Sequence, residues 1–449
     1  MSRNPLLADT AARAARYVDA VRERSVVPSQ DAIARLDALG GALPEDGEDP
    51  GALIALLDDV GSPATVASTG GRYFGFVTGG ALPATVAANW LATAWDQNAG
   101  LFAQSPVASK VEEIAAAWLL DVLGLPSSSG VGFVTGATMA NFTALAAARH
   151  WLLKRAGWNV EERGLFGAPE ITVIVGGEVH VSLLKALALL GFGRMRVITV
   201  PADDQGRMRA DALPALNDRT LVCIQAGNVN TGAFDPAATI CAKAREANAW
   251  VHVDGAFGLW AAAAPQRAHL MNGFAEADSL ATDCHKWLNV PYDSGLSFVR
   301  DAESLRAAMS IRAAYLSQGD NREPCQFTPE ASRRARGIEV WAALRSLGRR
   351  GLAEMIESNC RLATRFAAGL RSAGFAVLND VMLNQVMVSF GNAEKTRRVI
   401  AEVQNQGACW CGGTEWHGHT AMRISVSCWA TTEEDVDRSL AAIVRIAGT

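Results

Sequence analysis

The chain lacks the long apolar runs of a membrane-spanning protein. A bilayer-spanning helix needs about 20 consecutive apolar residues, and the richest stretch here, residues 181–192, is shorter and contains Lys185. An excess of basic residues is also missing, since 41 Lys and Arg residues are balanced by 46 Asp and Glu residues. A net charge of −5 argues against a nucleic-acid-binding protein, which is usually basic. We therefore expect neither a membrane nor a nucleic acid as a partner.

Cysteine is sparse, because eight cysteines in 449 residues are far too few for a disulfide scaffold. The N-terminal segment has acidic residues among its arginines and no central apolar block, which predicts a folded helix rather than a signal peptide. Reduced thiols and a cytoplasmic location are the resulting expectation. Disorder is excluded by the composition, which is 49% hydrophobic and only 19% charged.

Short apolar runs alternate with helical patterns through the middle of the chain. These runs occupy residues 131–134, 171–175, 197–200, 221–224 and 250–253. Continuous apolar runs are typical of strands buried on both faces. Their alternation with helices predicts a mostly parallel α/β sheet.

The rest of the chain differs from this middle part. Residues 1–65 are rich in Ala and Arg and predict a helical N-terminal arm. The α/β pattern fills a large domain at 66–310. A smaller α+β domain is expected at 311–449, opening with a long helix over residues 330–347 that stops near Gly348.

Two segments near the expected strands could bind an anion and a cation. The turn at residues 135–141 follows the first apolar run and opens a helix. Its small residues let main-chain N–H groups approach an anion at a helix N-terminus. Asp254 stands at the carboxyl end of the fifth run, where α/β sheets bind their ligands. A helix cap and a turn cap are the ordinary structural explanations of these two features.

Two further segments supply an amine and an imidazole. Lys286 lies just past the apolar run at 279–282, and His180 follows the second run. Lys286 alone could be a surface lysine, and His180 alone could be structural. Together with the two segments above, they supply a phosphate cradle, an acid for a ring nitrogen, a stacking ring and an imine-forming lysine. Pyridoxal 5′-phosphate (PLP) requires this set.

At these positions the sequence resembles the group II PLP-dependent decarboxylases, which include aromatic amino acid and glutamate decarboxylases. The resemblance runs from about residue 73 to the end of the chain. Its most specific motif is Thr-Asp-Cys-His-Lys-Trp-Leu at residues 282–288. His-Val-Asp-Gly-Ala at 252–256, His-Val-Ser-Leu-Leu-Lys-Ala at 180–186 and Met-Arg-Ile-Ser-Val at 422–426 also match.

The resemblance implies a fold and a reaction. The fold is type I of the PLP-dependent enzymes, as in aspartate aminotransferase, with a large α/β domain and a small α+β domain. The implied assembly is a homodimer with its active site at the subunit interface. The implied reaction is decarboxylation of an L-amino acid to an amine and carbon dioxide, and the amino acid itself stays open. A dehydrogenase would need a G-x-G-x-x-G turn, which the turn at 135–141 lacks.

The resemblance also implies site residues, with Lys286, Asp254 and His180 as the catalytic set. Lys286 forms the Schiff base, Asp254 holds the ring nitrogen, and His180 and Ala256 lie on the two ring faces. The remaining implied contacts are Ala137, Thr138 and His285 at the phosphate, Asp283 and Asn228 elsewhere on the cofactor, and Phe74 and Arg423 at the substrate, with Arg423 meeting its carboxylate.

One departure from the family concerns the proton donor. Many relatives carry a Tyr in a mobile loop that returns a proton to the substrate carbon after carbon dioxide leaves. Between residues 316 and 332 this chain has Phe327 and no Tyr, while Tyr315 matches a family Tyr-Leu pair upstream of that loop. The donor is therefore unassigned. Other PLP-dependent reactions stay open: an aldolase-like C–C lyase, an aldehyde-forming oxidative deaminase or an aminotransferase.

A cluster near the C-terminus offers possible metal ligands. Cys409, Cys411, His417 and His419 lie close in sequence and combine zinc-binding residue types. The turn signal Gly-Gly-Thr between them also predicts a β-hairpin. The resemblance places this segment in the small domain without a metal, and no metal site is expected.

Overall fold

A computed structural model describes residues 4–310 and 321–448. Its first sheet contains β1 (Gly130–Val134), β2 (Thr172–Gly176), β3 (Ile198–Val200), β4 (Thr220–Gln225), β5 (Trp250–Asp254), β6 (Ser279–Asp283) and β7 (Gly295–Val299). The order across this sheet is β1-β7-β6-β5-β4-β2-β3. The pairs from β3 to β6 are parallel, whereas β7 runs antiparallel to both of its neighbours. The predicted mostly parallel sheet is confirmed.

Helices surround the sheets. They are α1 (Pro5–Ala20), α2 (Gln30–Ala34), α3 (Pro50–Leu56), α4 (Ser62–Ala64), α5 (Pro83–Trp95), α6 (Pro106–Val122), α7 (Ala137–Arg155), α8 (Val160–Arg163), α9 (Val181–Leu189), α10 (Ala237–Glu246), α11 (Ala302–Met309), α12 (Gly337–Ser372), α13 (Ala393–Gln406) and α14 (Glu433–Gly448). Shorter 3₁₀ segments are Arg35–Leu39, Ala210–Ala212, Gly258–Ala263, Ala268–Met271, Phe274–Glu276 and Pro324–Gln326, and a π-helical turn covers Leu57–Gly61. Because helices cover both faces of the large sheet, β1, β4, β5 and β6 are buried along their whole length.

A second sheet lies near the C-terminus. It contains β8 (Ala376–Val377), β9 (Gln385–Ser389), β10 (Gly412–Trp416) and β11 (His419–Ser425) in the antiparallel order β10-β11-β9-β8. β10 and β11 form the predicted hairpin. Its turn lies at residues 417–418, so the Gly-Gly-Thr segment, predicted to be the turn, is instead part of β10. A separate apolar core joins β9 and β11 to α12, α13 and α14. The exact division of the chain at residues 65 and 310 stays a prediction.

The long C-terminal helix differs from its prediction in two ways. It begins at Gly337, so the predicted start at residue 330 is wrong. It also continues past Gly348 to Ser372, although Gly348 interrupts it with φ 61° and ψ −179°. Only glycine adopts such backbone angles readily. The prediction of an interruption at Gly348 is therefore right, although the helix resumes after it.

Over residues 4–310 and 321–448, each helix falls short of the length or the apolar character that crossing a bilayer demands.

Candidate active site

The four segments singled out in the sequence meet at one edge of the large sheet. The N-terminus of α7 follows β1, His180 follows β2, Asp254 ends β5 and Lys286 follows β6. These four strands point the same way, so their carboxyl ends share an edge. Ligands bind at this edge in open α/β sheets.

Lys286 is held by a buried carboxylate. Its Nζ atom lies 2.9 Å from Oδ2 of Asp283, the last residue of β6. The other oxygen, Oδ1, lies 3.4 Å from Nε2 of His285. Burial lowers the pKa of His285, and the charge of Asp283 opposes this shift. Asp283 therefore orients both the amine and the imidazole.

A cradle for an anion lies beside this pair. The N-cap residue of α7, Gly136, has no side chain to cap the helix, and the N–H of Ala137 donates to Oδ1 of Asp283 at 2.5 Å. A Cβ atom on Gly136 would lie 3.0 Å from Cε1 of His285 and 3.2 Å from Oδ1 of Asp283. Glycine at position 136 thus allows the start of α7, where Thr138 follows Ala137, to lie close to the imidazole and the carboxylate. Main-chain N–H groups and the helix dipole at that position suit a phosphate ester.

Asp254 is a carboxylate without a cationic partner. It is 5% exposed, and no Lys, Arg or His of the described residues comes within 4.0 Å of its oxygens. Asn141 Nδ2 donates to Oδ2 at 3.2 Å, and the N–H of Ala256 donates to Oδ1 at 3.2 Å. Burying a carboxylate is costly unless a cation or strong donors meet it. A protonated ring nitrogen is such a group, so Asp254 and Ala256 fit the ring of PLP.

His180 lies among the charged residues of the site. Its Nδ1 caps α9, accepting from the N–H of Ser182 at 3.3 Å. Burial lowers its pKa, and the nearby charges of Lys286 and Arg423 lower it further, while Asp254 raises it. His180 is therefore neutral near pH 7 and presents an uncharged ring.

Arg423 brings a guanidinium into the same region from the second sheet. Burial lowers its pKa. Its Nη1 donates to Oδ1 of Asn230 at 3.3 Å, and within the described ranges no carboxylate pairs with it. An unpaired, largely buried cation is suited to an anionic group of a ligand.

Asn228 has a divided role. Its Oδ1 accepts from the N–H groups of Asn230 at 2.9 Å and Thr231 at 3.2 Å, which stabilises the turn. Its buried Nδ2 has no partner among the residues described. That nitrogen is a donor available to a ligand oxygen.

The aromatic segment at residues 73–80 runs beside Lys286, since a Cβ atom on Gly79 would collide with the Lys286 carbonyl oxygen. Phe74 is only 1% exposed and packs edge-to-face against Phe366, with ring centroids 5.0 Å apart. Phe76 is 64% exposed and lies 5.1 Å from the ring of Trp410. Phe74 thus belongs to the core, which departs from the expectation that it lines the pocket, and Phe76 is the accessible aromatic.

Tyr292 was missed as a site residue, although it lies six positions after Lys286. Its ring stacks on His285 with centroids 4.3 Å apart, and the side chain is exposed. Tyr315 lies outside the described residues. Phe327 packs in the core of the large sheet, with the Arg322 guanidinium 4.2 Å above its ring.

The candidate metal ligands do not form a cluster. Cys409 and Cys411 are buried in the core of the second sheet, whereas His417 and His419 lie at the β10–β11 turn. Over the described ranges, no group of three or more His, Cys, Asp or Glu residues is placed to hold a metal ion.

Comparisons with known proteins identify the family of the chain. A model of the pyridoxal-dependent decarboxylase conserved domain matches residues 54–391. An aromatic-L-amino-acid decarboxylase of Bacillus atrophaeus is 26% identical over 449 aligned residues, which cover 93% of this chain and 90% of that protein.

Two solved structures share the fold. Oryza sativa TDC with PLP and tryptamine superposes with a TM-score of 0.90 at 22% identity, covering 99% of this chain and 97% of that one. Rhodiola rosea 4-hydroxyphenylacetaldehyde synthase superposes with a TM-score of 0.86 at 21% identity, covering 100% and 99%. With the family model matching more than half of its length, the chain belongs to the group II PLP-dependent decarboxylases, a family of amino acid decarboxylases whose cofactor is pyridoxal 5′-phosphate.

Proposed function

We propose that this enzyme decarboxylates an L-amino acid to its amine and carbon dioxide. The observation that supports this most directly is the convergence of Lys286, Asp254 and the start of α7 at one sheet edge. The unpaired Arg423 adds a cation for the substrate carboxylate. The proposal assigns the site residues as the sequence predicted them, with two changes. Phe76 replaces Phe74 at the substrate, and Asp283 orients Lys286 instead of contacting the cofactor.

Each residue has a defined task toward the cofactor and substrate. When bound, PLP supplies an electron sink for the electron pair that the departing carbon dioxide leaves on the α-carbon. Lys286 Nζ would supply the amine, and Asp283 orients it. Ala137, Thr138 and His285 would hold the phosphate, and Asp254 would accept the ring N–H. His180 and Ala256 would pack on the ring faces, and Asn228 would donate to a ring oxygen.

The proton donor is Tyr292 in this proposal. The chain has four tyrosines, at positions 17, 73, 292 and 315. Burial raises the pKa of Tyr73 to about 12, which makes it a poor acid. Tyr292 is exposed and stacks on His285, the residue directly before Lys286. Its phenol can give a proton to the α-carbon after carbon dioxide leaves, and water restores that proton.

Two copies of the chain form the enzyme in this proposal. Leu91, Trp90 and Trp95 are exposed along α5, and α1 has no buried residue. Contiguous exposed apolar side chains mark interaction surfaces. The same two elements would cover each other across a two-fold axis.

A second candidate is oxidative deamination to an aldehyde. Its motivation is the absence of Tyr between residues 316 and 332. In that route dioxygen is the oxidant, and an amino acid with dioxygen and water gives aldehyde, carbon dioxide, ammonia and hydrogen peroxide. The aldehyde synthase among the fold relatives shows the fold alone and does not decide between the routes.

A product assay tests the proposal. Purified protein with added PLP is given each amino acid in turn, and carbon dioxide, amine, aldehyde, ammonia and peroxide are followed together. Equal amounts of carbon dioxide and amine are expected from one substrate class. Lys286→Ala should lower turnover by more than about a thousandfold and abolish the visible cofactor band.

The matched control is Lys110→Ala, which removes an exposed lysine that is ion-paired, among the residues the structure describes, with Glu113 alone. It should keep both the activity and the band. Aldehyde with ammonia and peroxide would replace the decarboxylase proposal by the oxidative one. Keto acid without carbon dioxide would contradict both.

A further inference from the structure

Strand β5 carries three polar-tipped side chains on one face. Trp250, His252 and Asp254 are spaced two residues apart, and alternate residues of a strand point to the same side. All three are buried. Asn141 of α7 and Ser279 of β6 face them, and Ser279 is the direct cross-strand neighbour of His252.

These five residues are joined by a continuous line of hydrogen bonds. Trp250 Nε1 lies 2.9 Å from Ser279 Oγ, and Ser279 Oγ lies 2.9 Å from His252 Nδ1. His252 Nε2 lies 2.9 Å from Asn141 Oδ1, and Asn141 Nδ2 lies 3.2 Å from Asp254 Oδ2. We name these residues the β5 relay.

Donors and acceptors fix the direction of the β5 relay. A carboxylate only accepts, so Asn141 must turn its NH₂ group toward Asp254 and its carbonyl toward His252. His252 then donates from Nε2 and accepts at Nδ1. Ser279 gives its hydroxyl hydrogen to Nδ1 and accepts from Trp250, which can only donate.

The neutral imidazole that this arrangement needs is also the form that burial favours, because burial lowers the pKa of His252 to about 3. A charged His252 would carry a hydrogen on Nδ1, so Nδ1 could no longer accept the hydroxyl hydrogen of Ser279. A flipped Asn141 would set its carbonyl oxygen against the carboxylate of Asp254. Each alternative leaves a buried polar group unsatisfied, which is costly.

We infer that the β5 relay is a positioning device that holds Asp254 as an oriented carboxylate, so that it keeps the ring nitrogen of bound PLP protonated. The inference rests on the proposed role of Asp254. Asn141 is the positioning residue that acts directly on the carboxylate. Trp250, His252 and Ser279 act through it, because they prevent its amide from turning over.

The test is the protonation of the ring nitrogen in the PLP-loaded protein. PLP labelled with ¹⁵N in the ring is bound to wild type and to Asn141→Leu, and its nitrogen chemical shift is followed by NMR from about pH 6 to about pH 9. Wild type should stay protonated across this range. In Asn141→Leu the nitrogen should lose its proton within the range, and the PLP dissociation constant should rise about tenfold or more, as loss of a charged hydrogen bond implies.

Thr143→Val is the matched control. Thr143 lies on the same helix, is fully buried, and its hydroxyl has no partner among the described residues. This variant removes a buried polar atom from α7 without touching the β5 relay. Its nitrogen shift and dissociation constant should equal those of wild type.

Two further variants guard against misfolding of Asn141→Leu. Ser279→Ala removes the hydroxyl that donates to His252 and accepts from Trp250. It should shift the titration of the ring nitrogen in the same direction as Asn141→Leu, but by less. His252→Gln keeps an amide donor and should restore more of the wild-type shift than His252→Leu. Wild-type titration in Asn141→Leu or in Ser279→Ala would overturn the inference, as would an equal change in Thr143→Val. Failure of the product assay would leave this measurement intact, so the two proposals fail separately.

Discussion

Tyr292 tests the proposed chemistry at the scale of a single residue. Tyr292→Phe keeps the ring that stacks on His285 and removes only the hydroxyl. We expect amine formation to fall by about a hundredfold or more, as loss of a positioned acid implies. The visible cofactor band should stay, because Lys286 is untouched. Amine yield and aldehyde yield are measured side by side on the preferred substrate.

Two other tyrosine variants show whether the effect belongs to Tyr292. Tyr73→Phe removes the hydroxyl of the other described tyrosine near the site, which stacks on Trp410. Tyr315→Phe removes the tyrosine that lies outside the described residues. Both should keep most of the amine formation. A large loss in either one, with Tyr292→Phe active, would move the donor role to that residue.

The residues with distinctive chemistry were the easiest to predict. Lys286 and Asp254 each follow an apolar run, so the parallel topology alone brings them to one edge. The choice between Phe74 and Phe76 was beyond the pattern, because two residues of one type spaced by two share a face in a regular strand. Here the backbone turns at Phe76, with φ 53°, and sends one ring into the core and the other outward. Nothing in the sequence distinguishes Asn141 from the other residues of α7, so its contact with Asp254 could not be predicted.

At the scale of an element, strand β5 leads us to predict that the protein becomes less stable to unfolding in acid. Its His252 is fully buried with a pKa of about 3, whereas the unfolded chain has the ordinary value near 6.5. Between these values the unfolded state binds a proton that the folded state does not. Stability is therefore present above about pH 6.5 and falls as the pH decreases, by about 1.4 kcal/mol per pH unit from this residue.

Chemical denaturation of wild type and His252→Gln from about pH 7 to about pH 4 measures this term. Gln does not titrate, so the difference in unfolding free energy between the two proteins should shrink as the pH falls. All other titrating groups are common to both and cancel. Parallel curves for the two proteins would mean that His252 takes up its proton in the folded state.

The start of α12 shows why some element boundaries escape prediction. Residues 330–336 are rich in Ala and Arg and favour a helix locally. In the structure Arg333 instead donates to the carbonyl oxygens of Ala99 and Phe133 and contacts the buried carboxylate of Glu112. These contacts come from residues about two hundred positions away, and no local pattern contains them. Strands β1 to β5 of the large sheet were predictable because each contains a short run of apolar residues in the sequence itself.

At the scale of the whole molecule, the surface formed by α1 and α5 is unusually apolar for a single chain in water. Trp90 and Trp95 are exposed on α5, and α1 buries none of its residues. A monomer has little reason to keep two tryptophans in water, since each buries a large apolar area when covered. The proposed pairing of two copies would cover this surface.

Replacing Trp90 and Trp95 by Glu tests the pairing. Across a two-fold axis, the introduced carboxylates of one subunit would face those of the other and repel them. Burying these charges in an interface would also carry a large desolvation cost. We expect sedimentation velocity to show a dimer for wild type and a monomer for the double variant, with amine formation reduced at least about tenfold. Phe166→Glu is the control, because Phe166 is 98% exposed and belongs to neither α1 nor α5. It should leave the dimer and the activity unchanged. A double variant that stays dimeric would place the interface elsewhere, and a monomer with full activity would show that each chain carries a complete site.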